Sequence, residues 1–176
     1  MNDSIITPVT FLEIEKLQKI STETFTQTFG NQNSKEDLDK YIEDNLSIKK
    51  LSDELNNPNS NFYFYQLNNQ IVGYLKTNIK EAQIEIKDKL SLEIERIYVL
   101  EKFQRHKIGH SLLKFAIEKA KKKKLDFIWL GVWEENKKAI SFYLKHNFIQ
   151  FDQHIFKLGD DLQTDILMKL SLNQID

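Results

Sequence analysis

Three stretches of the chain carry groups suited to chemistry. The first is Gln104-Arg105-His106-Lys107-Ile108-Gly109-His110, which follows an apolar run ending Arg96-Ile97-Tyr98-Val99 and opens a helical pattern. Amides in the first turn of a helix have no intrahelical acceptor, and the helix dipole favours an anion there, so this join can hold a pyrophosphate. A lone glycine at a loop-to-helix join also occurs in many folds without a ligand. The second stretch runs from Trp129 to Tyr143: a strand ends, Asn136 stands near a helix cap, and Tyr143 follows seven residues later on nearly the same face. Its hydroxyl could serve a site, or it could be a half-buried aromatic with a satisfied hydroxyl. The third is the pair Glu93 and Glu95, acidic positions in an apolar strand that places both on one face by its period of two. Simple exposure to solvent is the alternative for both.

The elements that must position these groups follow from periodicity. Ile5 and Ile6 suggest an opening strand before Pro8. Thr10 with Glu13 forms a capping box ahead of a stripe of Leu12, Leu17, Ile20 and Phe25, and Ser34 with Asp37 starts a second amphipathic helix through Leu38, Tyr41, Ile42 and Leu46. Phe62 to Leu67 and Ile71 to Ile79 flank Asn68-Asn69 and predict a hairpin. Leu90 to Val99, Gly109 to Lys123 and Asp126 to Val132 then read as strand, helix and buried strand, a crossover that calls for a parallel strand pair. Asn136 to Lys145 is a further helix. Phe148 to Lys157 and Leu162 to Leu170 close a hairpin over Gly159-Asp160-Asp161. No repeat, low-complexity tract or linker interrupts residues 1–176, which read as one domain.

Composition narrows the classes. The chain has 176 residues, 40% apolar and 29% charged, an ordinary globular balance. No apolar run approaches the roughly 18 to 20 residues needed to cross a bilayer, and the N-terminus lacks the basic start and apolar core of a leader, so a cytoplasmic location is expected. There is no cysteine, which excludes disulfides, cysteine metal ligands and an acyl-cysteine route. Charge is uneven: residues 1–60 hold six lysines against eleven acidic residues, net −5, whereas residues 100–124 hold nine basic against two acidic, net +7. Lys119 and Lys121 to Lys124 suit a solvated helix end, while Lys102, Arg105 and Lys107 precede the helix, where an anion is favoured.

Taken together, the first two stretches resemble the Gcn5-related N-acetyltransferases (GNAT). The cofactor motif of that family reads Gln/Arg-x-x-Gly-x-Gly/Ala after a strand, and its second motif reads Asn-x-x-Ala-x-x-x-Tyr before Gly-Phe. Gln104, Ile108, Gly109, Asn136, Ala139, Tyr143 and Phe148 match in order and spacing. The resemblance spans about Ile5 to Leu170 and is closest to the PaiA-like spermine/spermidine acetyltransferases, through Glu23-Thr24-Phe25-x-x-Thr28-Phe29, Leu92 to Tyr98, Trp129 to Glu134 and Gly159-Asp160-x-x-Gln163-Thr164-Asp165. Lys107 stands where the first motif has its first glycine, and Asn147 where a glycine usually precedes Phe148.

The resemblance implies an α/β (α+β) GNAT fold: a mixed, mostly antiparallel sheet with a splayed parallel strand pair and flanking helices. It also implies acetyl-coenzyme A as co-substrate and no metal. The strand at Ile97, Tyr98 and Val99 would splay open, with backbone groups of Ile97 and Val99 pairing with the pantetheine arm. Amides from Gln104 to His110 would hold the pyrophosphate, with charge added by Arg105, His106, Lys107 and His110; Asn136, Ala139 and Tyr143 would complete the cofactor side. Tyr143 would act as general acid toward the leaving sulfur.

The acceptor amine, with a pKa of about 10.4 when free, needs help to lose its proton near pH 7.5, at a cost on the order of 4 kcal/mol. Glu95, favoured over Glu93, would supply that help through water. The expected acceptor is a small cationic amine, a polyamine, drawn by the acidic N-terminal part that includes Glu23, Glu43 and Asp44. A protein or peptide amino group is the rival acceptor, to be favoured by an open groove over an acidic pocket. A regulatory, DNA-associated role is the rival class, although zinc-finger spacing and a recognition helix are lacking. Neither a membrane nor nucleic acid is an expected partner, and a homodimer is left open.

Overall fold

The computed structural model describes residues 3–158 and 161–172. Its strands are β1 (Ser4–Pro8), β2 (Ser60–Leu67), β3 (Gln70–Ile79), β4 (Ser91–Val99), β5 (Phe127–Trp133), β6 (Ile149–Leu158) and β7 (Asp161–Ser171). The helices are α1 (Ile14–Phe29), α2 (Lys35–Leu46), α3 (Ile48–Asn56), α4 (Ile108–Lys122) and α5 (Lys137–Lys145). The strands form a seven-stranded sheet in the order β1-β2-β3-β4-β5-β7-β6. Only β4 and β5 run parallel, joined by α4; every other neighbour is antiparallel. The GNAT-type mixed sheet expected from the sequence is the sheet observed. The turn residues Gly159 and Asp160 lie outside the described residues.

Local chemistry explains where the elements start. Glu13 Oε2 accepts from both the backbone nitrogen (3.2 Å) and the hydroxyl of Thr10 (3.0 Å), fixing the entry to α1. The Ser34 hydroxyl accepts from the Asp37 amide at 3.1 Å and starts α2. Asn68 and Asn69 have φ of 48° and 63°, the left-handed pair that a two-residue hairpin demands. α3 is an additional helix, not among those expected, although Ile48, Leu51 and Leu55 stand at helical spacing; it starts because Ser47, which ends α2, also caps the next helix through Lys50, and Leu51 buries completely.

The sheet is covered on both faces. Leu112, Leu113, Ala116 and Ala120 of α4 join Leu75, Ile128 and Leu130 in one core, while Leu17, Ile20 and Leu51 of α1 and α3 meet Phe62, Phe64 and Tyr74 in another. Full burial of each large side chain contributes roughly 1.5–3 kcal/mol. The pairing of β3 with β4 passes from Lys76↔Arg96 to Thr77↔Ile94, so Glu95 is an extra residue without a partner in register. Such a bulge bends the strand and re-aims its side chains. Gly73 permits the close approach of these strands, because a Cβ there would lie 2.8 Å from the Tyr98 carbonyl oxygen. Among the described residues, no helix is long and apolar enough to cross a membrane.

Candidate active site

β4 and β5 pair over only three positions, Ser91↔Phe127, Leu92↔Ile128 and Glu93↔Trp129. Both strands then continue, β4 to Val99 and β5 to Trp133, without pairing to each other. The V between them opens into a cleft of about 1020 Å³. Beyond Glu93 the β5-facing edge of β4 is therefore open to an extended ligand.

One end of the cleft is a candidate anion cradle, lined by the first turn of α4. The first intrahelical acceptor of α4 is the Lys107 carbonyl, which takes the Ser111 amide, so the amides of Ile108, Gly109 and His110 remain available. A Cβ added at Gly109 would meet nothing nearer than Phe142 Cζ at 3.8 Å. No protein neighbour demands a glycine there, and the space is open to a phosphate. Lys107 adopts φ 61° and ψ 12° as the N-cap, a conformation natural to the glycine that the family motif has in this place. Asn147, the other departure, has φ 63°. Arg105, Lys107, Lys137 and Lys138 bring positive charge to the cleft wall.

Two histidines lock α4 to α5 beside the cradle. His146 Nδ1 lies 2.8 Å from the Phe142 carbonyl, which can only accept, so Nδ1 carries the hydrogen. Its Nε2 lies 2.8 Å from His110 Nδ1, so the two rings share a hydrogen bond. His106 is turned the other way: its Nδ1 sits 2.9 Å from Gln104 O and 3.2 Å from Phe103 O, and its side chain is absent from the cleft wall. Gln104 Nε2 donates to Val99 O at 3.3 Å, tying the loop to the end of β4.

At the point of the V the two glutamates part company. Glu93 is 3% exposed; its Oε2 accepts from Asn78 Nδ2 at 2.9 Å and from the Ile84 amide at 3.1 Å. Burial pushes its carboxyl up from the ordinary 4.5 to about 7; the Asn78 bond opposes this and the nearby Glu95 charge adds to it. Glu95 belongs to a buried network instead. It pairs with Lys76 and, at 3.0 Å, with Arg96, while Glu54 from α3 pairs with Lys76 at 2.9 Å and takes both arms of Arg96 at 3.0 and 3.1 Å. Burial raises the Glu95 carboxyl, but Arg96 and Lys76 outweigh it and hold the group below its ordinary range. Neither carboxylate simply faces solvent.

The far end carries further acidic groups. Glu85 lies 3.4 Å from His154 Nε2, and Asp165 of β7 is raised by burial, with Glu85 adding to the rise and His154 opposing it. Phe25 stacks on Tyr41 at 4.3 Å, and Phe29 meets Trp133 at 5.9 Å, forming an aromatic wall. Gln163 Nε2 donates to Asn33 Oδ1 at 3.0 Å, so the α1–α2 turn is bonded to β7.

Tyr143 is 7% exposed and borders the same cleft. Burial lifts its phenol above the ordinary value, so the hydroxyl keeps its proton at neutral pH. Asn136 spends its side-chain oxygen on the Ala139 amide at 3.1 Å, capping α5 and setting the face on which Tyr143 falls.

The cleft gathers Glu93, Glu95, Ile97, Tyr98, Val99, Gln104, Arg105, Lys107, Ile108, Gly109, His110, Asn136, Ala139 and Tyr143. Glu23, Glu43 and Asp44 are exposed and outside its wall. Lys119 packs over Tyr63 and Phe115, and Lys121 to Lys124 are exposed at the far end of α4, away from the cradle. Sequence reasoning missed Asn78, Ile84, Glu85, His154 and Asp165 as site residues. Lys76-Thr77-Asn78, a polar run near the end of an otherwise largely apolar strand, was the available signal.

A family model described as the acetyltransferase (GNAT) family matches residues 14–148. An uncharacterised N-acetyltransferase in the pepI 3′ region of Lactobacillus delbrueckii subsp. lactis is 42% identical over 167 residues, covering 95% of this chain and 96% of that protein. The spermidine N(1)-acetyltransferase of Thermoplasma acidophilum is 26% identical over 140 residues, 77% of this chain and 82% of the relative. Among solved structures, the PaiA N-acetyltransferase from Thermoplasma acidophilum in complex with coenzyme A superposes with a TM-score of 0.79 at 23% identity, over 96% of this chain and 99% of that one. At that identity the likeness is one of fold.

Proposed function

The chain belongs to the acetyltransferase (GNAT) family and is an N-acetyltransferase; we propose that it acts as a single domain that acetylates a primary amine of a small polycation, of the spermidine or spermine class. The observation that carries this reading is the set of carboxylates Glu85, Glu93 and Asp165 that line the cleft. Several carboxylates around one cleft suit an acceptor that carries more than one ammonium group.

Acetyl-coenzyme A supplies the acetyl thioester. The amides of Ile108, Gly109 and His110 hold its pyrophosphate, Arg105 and Lys107 add charge, and the open edge of β4 at Ile97 and Val99 binds the extended arm. Glu93, rather than Glu95, takes the proton of the acceptor amine, directly or through one water. A base titrating near 7 is mostly ionised at pH 7.5 yet basic enough to accept a proton, whereas Glu95 is committed to Lys76 and Arg96. Tyr143 donates its hydroxyl hydrogen where the sulfur departs. An alkyl thiol holds its proton with a pKa of about 8.5, well below that of this phenol, so Tyr143 acts chiefly as a hydrogen-bond donor.

An amine panel with acetyl-coenzyme A tests the proposal. Spermidine or spermine is expected to show a higher kcat/KM than free lysine, an N-terminal peptide or a lysine peptide. Equal or reversed specificity constants would remove the polyamine assignment and favour a protein or peptide acceptor.

A further inference from the structure

The segment between β3 and β4 supplies two groups to the cleft, the Ile84 amide on Glu93 and the Glu85 side chain, and one buried residue holds it in place. Gln83 is 2% exposed. Its Oε1 accepts from Trp129 Nε1 at 2.7 Å and from Ser91 Oγ at 2.8 Å. Its Nε2 donates to Asp88 O at 2.7 Å and to Lys80 O at 3.3 Å. Both lone pairs and both hydrogens of the amide are thus used. The two donors come from the strands that form the V, Ser91 at the start of β4 and Trp129 in the last β4–β5 pair before they separate. The two acceptors are the ends of the segment itself.

We propose that Gln83 is a positioning residue for the acceptor half of the site, clamping residues 80–90 to the apex of the V so that Ile84 N–H stays on Glu93 and Glu85 stays at the acceptor end. The proposal rests on the reading of Glu93 as the base. It also gives Trp129 a purpose: its indole N–H is an attachment point on the sheet for the segment, a donor that Phe lacks. Ile84 lies next to Gln83 in sequence, so movement of the clamp is passed directly to the amide that touches Glu93.

The consequence is a change in proton affinity as well as in geometry. Glu93 is faced by Glu95 on β4, Lys76 and Asn78 on β3, Trp129 on β5 and the Ile84 amide, with Glu85, His154 and Asp165 bordering the same cleft. The Ile84 hydrogen bond favours the charged carboxylate. Releasing it therefore raises the Glu93 pKa, and the acidic limb of the rate profile moves to higher pH. Loss of stability alone would not move that limb.

The test uses Gln83→Met, which keeps length and removes the amide, and Trp129→Phe, which removes one donor. Each is assayed with the fastest acceptor of the amine panel across pH 6 to 9, alongside acetyl-coenzyme A affinity by calorimetry. Gln83→Met is expected to raise acceptor KM and lower kcat by on the order of 10-fold each, to shift the acidic limb upward, and to leave cofactor affinity within about twofold of the parent. Trp129→Phe should move the same quantities in the same direction by less. Parental acceptor KM, kcat and acidic limb in folded Gln83→Met overturn the proposal; should that variant not fold, parental values in Trp129→Phe overturn it. Glu93→Gln separates the two ideas, since an acidic limb that survives in it refutes Glu93 as the base while acceptor KM in Gln83→Met still reports on the clamp.

Discussion

Glu93 and Glu95 accept from the same nitrogen, Asn78 Nδ2, at 2.9 and 2.6 Å, yet one is driven toward the neutral acid and the other toward the anion. The nearest cations make the difference. Lys76 and Arg96 close on Glu95, while Glu93 has amide donors and burial.

Glu93→Gln should lower kcat/KM by roughly 10²–10⁴-fold and abolish the acidic limb centred near pH 7, measured with a polyamine acceptor. Stability should respond with the opposite sign. The folded Glu93 carboxyl binds a proton more tightly than the unfolded one, so the parent loses stability as pH rises from 4.5 to about 7. Urea titrations at pH 8 should find Glu93→Gln at least as stable as the parent.

Glu95→Gln should behave as a structural lesion. It leaves Lys76 and Arg96 with Glu54 as their remaining acidic partner, and breaking a buried pair costs about 3–5 kcal/mol. The folded fraction should retain far more turnover than Glu93→Gln does. Because the Glu95 carboxyl is held below its ordinary range, its contribution is present at neutral pH and lost as pH falls below 4.5 through the folded value. Acid unfolding of Glu95→Gln should accordingly be shallower than that of the parent; a parental acid transition together with a lost catalytic limb would reinstate Glu95 as the base.

Tyr143→Phe keeps the ring against Phe142 and Phe148 and deletes the hydroxyl. Turnover should fall by roughly 10²-fold or more when chemistry limits the rate. Cofactor affinity should barely move, and the melting temperature should change only by what a hydrogen bond of about 1 kcal/mol allows. Unchanged turnover would return Tyr143 to the core as a packing residue.

Lys107→Gly should stabilise the protein by about 1 kcal/mol, since the left-handed N-cap of α4 costs a side chain roughly that much and glycine little. In a thermal melt this corresponds to about 2–4 °C for a domain of this size. A salt-dependent loss of acetyl-coenzyme A affinity in the same variant would show that the Lys107 ammonium assists the cradle amides.

Much of this molecule is written in short-range patterns. Thr10 and Glu13, Ser34 and Asp37, Asn68-Asn69 and Asn136 act on backbone groups within a few residues, so they announce helix starts and a turn without knowledge of anything distant. The aromatic and branched runs of β2, β3 and β5, the alternation of β4, the helical stripe of α4 and the Gln104 to His110 join likewise announce strands, a turn and a strand–helix–strand unit. What the chain order alone did not decide is which glutamate can act. Their shared face follows from strand geometry, but the bulge that frees Glu95 from register is a property of two strands, and Glu54 reaches Arg96 from 42 residues away on another element. Proton affinity depends on burial and on charges a few ångströms off in any direction, and those neighbours, Lys76, Asn78, Ile84 and Glu54, are assembled only when the sheet closes. The same holds for Glu85 and Asp165, which come to one cleft from distant segments. Local backbone rules chose the elements; long-range packing chose the chemistry between them.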